Sequence, residues 1–263
     1  MARISVLMGI YNCAPYLQEA LDSLYAQTNQ DFKIILCDDG SKDETYAIAQ
    51  RNAEEHDNIV LISNDRNIKL AATLNHCLEY ADTEYVARMD GDDISVPERF
   101  QKEIDFLDLH SEIDFVSSPM IYFDEEGDWG KGHAIAQPTK NDFKTGSAPF
   151  CHAPVMMRTR CVKAIGGYNI SKSVERMEDY DLFVRLIIAG SKGSNLQEPL
   201  YKMRNDKNAF SRRKFSDRFR SYISASKLKK QLGLTFPYLS GIPDLMKAFI
   251  PNFIAYYLRK RTK

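Results

Sequence analysis

The sequence predicts an α/β protein whose centre is a doubly wound, mostly parallel β-sheet. Strand-like and helix-like segments alternate through about the first 110 residues, as repeated strand–helix–strand units do. The chain has 263 residues, enough for one large α/β domain and a smaller appendage. Apolar residues make up 44% and charged residues 27%, which is typical of globular proteins and excludes a disordered or fibrous chain.

The expected strands are short runs rich in Ile, Val and Leu, because strands of a parallel sheet are buried on both faces. In chain order they cover 4–10, 33–37, 59–63, 85–89 and 115–120. Apolar residues three or four positions apart predict the helices between them. The first helix carries Leu17, Leu21 and Leu24 on one face, and the others cover 41–55, 70–80, 95–110 and 178–189. The pattern from 121 to about 175 is irregular.

Two of these helices carry a capping-box spacing at their expected start. Ser41 and Glu44 are three residues apart, as are Ser95 and Glu98. In such a box the serine side chain accepts a hydrogen bond from the backbone N–H three residues later. We therefore expect the second helix to begin near Ser41 and the fourth near Ser95.

Polar residues follow three of the predicted strands. Asn12 follows the first strand, Asp39 follows the second, and the run Asp90-Gly91-Asp92-Asp93 follows the fourth. Parallel strands end at one edge of a sheet, and ligands of open α/β sheets bind there. We expect these groups to converge, although Asp39 or Ser41 taken singly could simply cap a turn or helix.

The acids Asp90, Asp92 and Asp93 place three negative charges within four residues. Their repulsion can be relieved by protonation or by a cation. Hard carboxylate oxygens suit Mg²⁺ or Mn²⁺, which complete their coordination with phosphate oxygens and water. The alternatives are a calcium loop or a solvated turn, but the residues that follow lack the spacing of an EF-hand.

Several common sites are absent from the sequence. There is no GxGxxG after the first strand and no GxxxxGK[ST], so a glycine-rich phosphate loop is excluded. A sugar nucleotidyltransferase, which needs such a loop, is therefore disfavoured. The five cysteines form no CxxC pair, which excludes a structural zinc or disulfide framework.

A second acidic cluster, Glu178-Asp179-Tyr180-Asp181, precedes an apolar helix. One acid at a helix start is most often a cap, but three acids exceed what a cap requires. A carboxylate near an incoming hydroxyl could act as a general base. His152 is a candidate contact for acceptor or phosphate, or a structural histidine.

Five motifs in order and spacing resemble family 2 glycosyltransferases with a GT-A fold. They are MGIYN (8–12), CDDGSKDET (37–45), ARMDGDD (87–93), HAPVMMR (152–158) and MEDYDLFVRL (177–186). The resemblance covers residues 1 to about 215. Three further segments narrow the resemblance to the transferases of exopolysaccharide operons. They are PFCH at 149–152, NLQEPLYKMR at 195–204 and AFSRRKF at 209–215.

The resemblance implies inverting transfer of a sugar from a nucleotide sugar, usually UDP-linked, with one divalent cation, Mn²⁺ or Mg²⁺. By matching position, Tyr11 and Asp39 would contact the base and ribose. Asp90 and Asp92 would be the DxD pair, with Asp92 the direct metal ligand. Asp179 would be the general base that deprotonates the acceptor hydroxyl.

The sequence departs from the family pattern at two positions. Lys69 stands where many members have glycine, and it could reach the diphosphate or lie in solvent at a helix start. Many members have a histidine near 205, whereas this chain has Met203-Arg204-Asn205. Arg204 is therefore a candidate phosphate contact, and Glu178 a candidate acceptor contact.

We divide the chain into a GT-A domain, 1–210, and a basic amphipathic helical tail, 211–263. Within the domain, 1–120 forms the nucleotide-binding half and 121–210 the acceptor-side half. The 35 basic and 36 acidic residues nearly cancel, but 205–263 contain 14 Lys or Arg against 3 Asp or Glu. Basic and apolar residues together are typical of an interfacial helix on an anionic membrane. The alternatives are packing on the acidic body or an oligomer interface.

These observations predict a cytoplasmic enzyme, peripheral on the inner face of the cell membrane. It would add one sugar to a polyprenyl-linked or oligosaccharide acceptor in exopolysaccharide or capsule biosynthesis. No nucleic-acid partner is expected, because the tail matches no nucleic-acid-binding module. The alternative is a transferase-fold binding protein that acts through membrane or protein contacts of its basic tail.

Overall fold

The computed structural model describes residues 2–145, 147–205 and 215–242. The strands are β1 Ile4–Ile10, β2 Phe32–Asp38, β3 Ile59–Ser63, β4 Tyr85–Arg88, β5 Ile94–Ser95, β6 Phe115–Ser117, β7 Met120–Asp124, β8 Gly127–Lys131, β9 Met156–Arg158, β10 Gly193–Asn195 and β11 Tyr201–Arg204. The α-helices are α1 Ala14–Tyr25, α2 Thr45–Glu55, α3 Leu70–Glu79, α4 Arg99–Leu109, α5 Thr159–Ala164, α6 Glu178–Ile188 and α7 Phe215–Gln231. Short 3₁₀ turns cover Lys140–Lys144, Lys172–Val174 and Leu239–Gly241.

Seven strands form the main sheet in the order β10-β6-β9-β4-β1-β2-β3. All neighbours are parallel except β9, which runs antiparallel to both β4 and β6. The predicted α/β fold with a mostly parallel sheet is confirmed. In this register Ile10 of β1 pairs with Asp38 of β2, so the loops after these strands leave the sheet side by side.

A second sheet, which the sequence did not predict, has the strand order β5-β11-β7-β8. The expected strand at 115–120 divides between the two sheets, because β6 ends at Ser117 and β7 begins at Met120. Strand β8 lies in the segment that we expected to be irregular. Its sequence Gly-Asp-Trp-Gly-Lys has little strand propensity, and antiparallel pairing with β7 forms it.

Both predicted capping boxes are wrong. Helix α2 begins at Thr45 and α4 at Arg99, and neither has a side-chain cap. The Ser41 hydroxyl instead accepts a hydrogen bond from the backbone of Asn12, 3.0 Å away. Ser95 belongs to β5, where its hydroxyl accepts a hydrogen bond from the Gln27 amide. In both cases a hydrogen bond to a residue distant in sequence replaces the local capping hydrogen bond that the spacing predicted.

Two buried apolar clusters cover the faces of the main sheet. Helix α7 belongs to one of them, because its residues Ala225 and Leu228 are buried there together with residues of α6. An ion pair of 3.6 Å also joins Arg220 to Glu175. The described part of the proposed tail is helical over Phe215–Gln231, and this helix packs on the body. The tail predictions for 211–214 and 243–263 lie outside the described residues.

Within the described residues, none of the helices combines the length and apolarity that crossing a bilayer requires.

Candidate active site

Hydrogen bonds join the loops that follow β1 and β2. The backbone N–H of Asn12 donates to the Ser41 hydroxyl, and the Asn12 side chain accepts from the backbone N–H of Lys42 at 2.8 Å. The left-handed backbone of Asn12, at φ 48°, turns the chain from β1 towards this loop. Tyr11 remains 45% exposed at the edge of the sheet. Its ring is available to stack on a planar ligand.

Asp39 is buried and orders the loop that enters α3. One carboxylate oxygen accepts hydrogen bonds from the Asn64 amide at 2.9 Å and the Ile68 backbone at 2.8 Å. The other accepts from the backbone N–H of Lys69 at 3.0 Å. A carboxylate has about four lone-pair sites, so one is left for a further donor. The residue after β2 is therefore a structural anchor that keeps capacity for a ligand N–H.

Lys69 begins α3 with a strained backbone. Its φ of 77° and ψ of 155° lie in a region that glycine adopts readily and other residues rarely adopt. The bond from Lys69 N–H to Asp39 helps to hold this conformation. The lysine side chain is exposed on the same edge as Tyr11 and Asp39.

Gly91 lets the loop after β4 approach β1 and α1 closely. A Cβ atom at this position would lie 2.8 Å from the sulfur of Cys13 and 2.9 Å from Cγ2 of Ile10. Both distances are shorter than van der Waals contact, so a larger residue would displace the loop. Gly91 thereby fixes Asp90 and Asp92 next to the end of β1.

Asp90 is held by its side chain and its backbone. Arg88 is buried, and both of its terminal nitrogens donate to the two Asp90 carboxylate oxygens. The backbone N–H of Asp90 donates to the Tyr201 hydroxyl at 3.1 Å. The Asp90 side chain is still 28% exposed, so the carboxylate is oriented but accessible.

Asp93 is a buried acid that the sequence did not assign to the site. It accepts a hydrogen bond of 2.7 Å from the backbone N–H of Arg204. Burial, and then the charges of Asp90 and Asp92, raise the pKa of Asp93 well above its usual value. Burial and these two neighbouring charges therefore favour the protonated form of Asp93.

Carboxylate oxygens in such a loop fit a hard divalent cation. No three His, Cys, Asp or Glu side chains form a complete metal cage within the described part of the chain. Mg²⁺ and Mn²⁺ commonly take only one or two carboxylates and fill the remaining positions with phosphate oxygens and water. The donor set around Asp92 is compatible with a cation that arrives together with a diphosphate.

Arg204 is engaged within the protein. Its guanidinium contacts the Asp92 carbonyl oxygen at 3.0 Å and forms an ion pair with Glu19. It also lies 4.3 Å from the Tyr16 ring centre and 4.4 Å from that of Phe123. These contacts connect β11 to α1 and support the loop after β4. A phosphate contact from Arg204 would have to compete with them.

The acids at the start of α6 are not helix caps. Met177 occupies the cap position, and no side chain caps the helix. Asp181 is buried and bonds to Arg185 and Asn169, which makes it structural. Asp179 is partly exposed, and its carboxylate accepts a hydrogen bond from the backbone N–H of Tyr180 at 2.7 Å. Of the other two acids, Glu178 lies close enough to Arg88 for that charge to act on it, and Asp179 is its neighbour in the chain.

His152 and Tyr168 connect this second acidic cluster to the first. The His152 Nε2 lies 2.9 Å from the Tyr168 hydroxyl. Burial, with the Arg88 charge, lowers the pKa of His152 well below its usual value, so the imidazole is neutral at pH 7. Burial also raises the pKa of Glu178, and the Asp179 charge adds to this while Arg88 opposes it. Arg88 therefore lies close enough to act on both His152 and Glu178.

The structure brings together most of the predicted site residues. The loops after β1, β2, β3 and β4 carry Tyr11, Asp39, Lys69, Asp90 and Asp92. His152 and Glu178 lie close enough to Arg88 for its charge to act on them, and Asp179 is next to Glu178 at the start of α6. Sequence analysis missed Arg88 as a member of the site, although a charged residue inside a strand expected to be buried on both faces was an available signal. Tyr168 and Tyr201 gave no such signal, because they are distant in sequence.

Comparison with known proteins identifies the family. The model for glycosyl transferase family 2 matches residues 5–165. The chain belongs to glycosyltransferase family 2. EpsE of Bacillus subtilis strain 168 is 40% identical over 98% of this family 2 glycosyltransferase and 94% of its own length. The amylovoran biosynthesis glycosyltransferase AmsE of Erwinia amylovora is 31% identical over 98% of each chain. The predicted resemblance to family 2 glycosyltransferases is confirmed, including the narrower likeness to exopolysaccharide-type transferases.

A third relative of this family 2 glycosyltransferase carries a more specific name. It is the UDP-Gal:alpha-D-GlcNAc-diphosphoundecaprenol beta-1,3-galactosyltransferase of Escherichia coli, which is 30% identical over 80% of this chain and 77% of its own.

Solved structures confirm the GT-A fold. TarS 1–349 of S. aureus in complex with UDP-GlcNAc has a TM-score of 0.70 at 20% identity, over 97% of this chain and 73% of TarS. The mannosyltransferase PcManGT of Pyrobaculum calidifontis, in complex with GDP-Man and Mn²⁺, has a TM-score of 0.63 at 16% identity. The match covers 99% of this chain and 80% of the PcManGT chain. At these identities the likeness concerns the fold alone.

Proposed function

We propose that this family 2 glycosyltransferase is an inverting enzyme of exopolysaccharide or capsule biosynthesis. It transfers a sugar from a UDP-linked donor to a polyprenyl-linked or oligosaccharide acceptor, and it uses Mn²⁺ or Mg²⁺. The supporting observation is the convergence of polar loops from β1, β2 and β4 at one sheet edge, opposite the acids that begin α6. The name of AmsE supports the biosynthetic role, and the name of the galactosyltransferase relative supports a UDP-sugar donor and a lipid diphosphate acceptor.

On this proposal the nucleotide binds over the ends of β1 and β2. The exposed Tyr11 ring stacks on the base, and the remaining lone pair of Asp39 accepts a base N–H. Asp90, oriented by Arg88, accepts from the ribose hydroxyls. Lys69 reaches the diphosphate as a point charge. Each contact uses capacity that the protein's own hydrogen bonds leave open.

We assign Asp92 as the direct ligand of the cation, as the resemblance to the family implies. Asp92 is half-buried, whereas Asp93 is buried. A divalent cation bound there would neutralise negative charge on the leaving diphosphate. Among solved neighbours of the same fold, PcManGT is seen with Mn²⁺.

Asp179 acts as the general base. It accepts the proton of the acceptor hydroxyl while the hydroxyl oxygen bonds to the anomeric carbon and the bond from that carbon to the diphosphate oxygen breaks. Attack from the face opposite the diphosphate inverts the anomeric configuration. Glu178 and His152 line the acceptor side, and the neutral imidazole can donate one hydrogen bond to a sugar hydroxyl.

The donor is tested by a thermal-shift panel of UDP- and GDP-sugars with Mn²⁺. We expect one UDP-sugar to raise Tm, and the shift to disappear when the cation is chelated. Transfer to an undecaprenyl-diphosphate-linked sugar with the same donor would then establish the reaction. If no nucleotide sugar shifts Tm with or without the cation, the proposed function is wrong.

Peripheral membrane contact is part of the proposal. Several large apolar side chains in the turn after α7 are exposed, among them Phe236 at 71% and Leu239 at 60%. They accompany the net positive charge of 205–263, which favours an anionic bilayer. We expect flotation with phosphatidylglycerol vesicles to be lost in a Phe236→Ser, Leu239→Ser variant, and to persist in Leu109→Ser, which changes an exposed leucine elsewhere.

The alternative is a binding protein that acts through membrane or protein contacts of the tail. The exposed apolar turn is the observation that favours it. Flotation that survives in Asp92→Ala, in a chain without measurable transfer or nucleotide binding, would support this alternative.

A further inference from the structure

Arg88, the last residue of β4, is a buried cation with a bidentate contact to the site. Its side chain is 4% exposed, and both terminal nitrogens donate to the Asp90 carboxylate. The Nε atom is buried and has no hydrogen-bond partner. The protein therefore uses the two nitrogens of this guanidinium that point towards Asp90 and leaves the third unpaired.

Stability alone does not account for this arrangement. A buried ion pair often contributes little to folding, because removing both charges from water offsets their attraction. An apolar residue would suit the end of a central strand better, since Val86 and Ala87 on the same strand are buried. What the pair provides is orientation, because a planar fork fixes the plane of a carboxylate as well as its position.

The backbone around Arg88 and Asp90 is fixed as well. A terminal nitrogen of buried Arg99 donates to the Arg88 carbonyl oxygen at 2.9 Å, and Glu103 pairs with Arg99 from the next turn of α4. The Tyr201 hydroxyl accepts from the Asp90 N–H at 3.1 Å. The Asp90 carboxylate is therefore held through its side chain and its backbone, yet it remains partly exposed.

We propose that Arg88 is a positioning residue that holds the Asp90 carboxylate in the orientation required to bind the ribose of the donor nucleotide. This rests on the proposed function. A ribose contact is present in the ground state and in the transition state alike, so its loss weakens donor binding more than turnover. Arg88 affects donor binding through Asp90 and does not touch the ligand.

The test uses two substitutions of Arg88 and one of its partner. Arg88→Met keeps an unbranched side chain but removes the fork, and Arg88→Lys keeps the charge but removes the bidentate geometry. Asp90→Asn removes the carboxylate charge. Arg158→Met is the matched control, because Arg158 is a largely buried arginine on neighbouring β9 that bonds to the Ile113 and Leu107 carbonyls.

The measurement is the Kd of UDP with Mn²⁺ by titration calorimetry, with Tm measured for every variant. We expect Arg88→Met to weaken UDP binding roughly tenfold or more, and Arg88→Lys to weaken it less. The Arg88→Met, Asp90→Asn double variant should bind no more weakly than the worse single variant, because both act on one contact. Arg158→Met should lower Tm and leave Kd unchanged.

Several results would overturn the proposal. Wild-type UDP affinity in folded Arg88→Met shows that Arg88 is only structural. Losses that multiply in the double variant show that Arg88 acts independently of Asp90. If Arg88→Met fails to fold, Arg88→Lys with wild-type affinity has the same meaning. Absence of UDP and GDP binding in the wild type overturns the proposed function together with this inference, whereas the other results leave the proposed function intact.

Discussion

The two sides of the proposed site, one for the nucleotide and one for the acceptor, are built in different ways. On the nucleotide side, the loops after β1, β2 and β4 are fixed by short hydrogen bonds within the protein, such as Asn12 to Ser41 and Asp39 to Lys69. On the acceptor side, the acids of α6 stand at an uncapped helix start, and His152 and Tyr168 come from separate segments. The nucleotide side is therefore preformed, whereas the acceptor side depends on packing between distant segments.

This difference suggests that the two sides contribute separately to nucleotide binding and to turnover. A preformed site binds its ligand without further ordering, which suits a nucleotide common to many reactions. A side assembled from separate segments can change shape by substitution without disturbing the sheet. Substitutions on the nucleotide side should therefore change affinity, and substitutions at α6 should change turnover.

The largest expected effect is at Asp179. Asp179→Asn keeps the size of the side chain but cannot accept the acceptor's proton, so kcat should fall roughly 10²- to 10⁴-fold. UDP affinity should stay unchanged, because the residue belongs to the acceptor side. Radiolabelled transfer and calorimetry measure the two quantities. Asp181→Asn is the control, because Asp181 is an acid of the same helix that takes no part in the proposed reaction. Equal losses in kcat for both variants would contradict the assignment of Asp179 as the general base.

The next effect is at Gly91, where the preformed loop can be displaced. Gly91→Ala places a Cβ within 2.8 Å of the Cys13 sulfur, so Asp90 and Asp92 must shift. A displacement of this size should weaken UDP–Mn²⁺ binding roughly ten- to a hundredfold. Adding Cys13→Ala makes room for the methyl group and should restore part of the affinity.

Gly132→Ala is the control for this prediction. Its new Cβ would lie no closer than 3.4 Å to its neighbours, so affinity should be unchanged. Wild-type affinity in Gly91→Ala would show that the loop is not held in place by its approach to β1.

Two substitutions of Lys69 should change stability and UDP binding independently of each other. Lys69→Gly relieves the strain at φ 77° and should raise the free energy of unfolding by about 1 kcal/mol, while loss of the charge weakens UDP binding several-fold. Lys69→Met keeps the strain and should weaken binding without a gain in stability. Urea unfolding and calorimetry measure both effects. A Lys69→Met variant that binds UDP normally would place this lysine in solvent.

The smallest expected effect is at Glu103, which pairs with Arg99 within α4. Burial raises the pKa of Glu103 from 4.5 to about 7, and the charge of Arg99 only partly offsets this. The folded state then holds this proton more tightly than the unfolded state, so the group's contribution to stability declines as pH rises from about 4.5 to about 7. Glu103→Gln should remove that decline, whereas Glu98→Gln at the exposed start of the same helix should keep it. Urea unfolding across this pH range is the measurement, and an identical slope in Glu103→Gln would contradict the assignment.

Most of the sheet was predictable, because buried parallel strands leave continuous apolar runs such as 4–10 and 59–63. The second sheet was not, since Gly127–Lys131 becomes a strand only by pairing with β7. The polar residues at the strand ends could be identified as well, because the end of each apolar run also marks the end of a strand. Tyr168 and Tyr201 were missed because their roles arise from contacts with residues distant in sequence, such as that between Asp90 and Tyr201, 111 positions apart. Arg88 was missed although its charge inside a buried strand was an available signal.

The central claim is that the loop after β4 holds a divalent cation against a nucleotide diphosphate. A crystal structure of the protein with UDP and Mn²⁺ tests it directly through the anomalous signal of manganese. We expect one manganese peak between the Asp92 carboxylate and the diphosphate, with the uridine over Tyr11 and Asp39. UDP bound there without manganese, or manganese bound away from Asp92, would contradict the account.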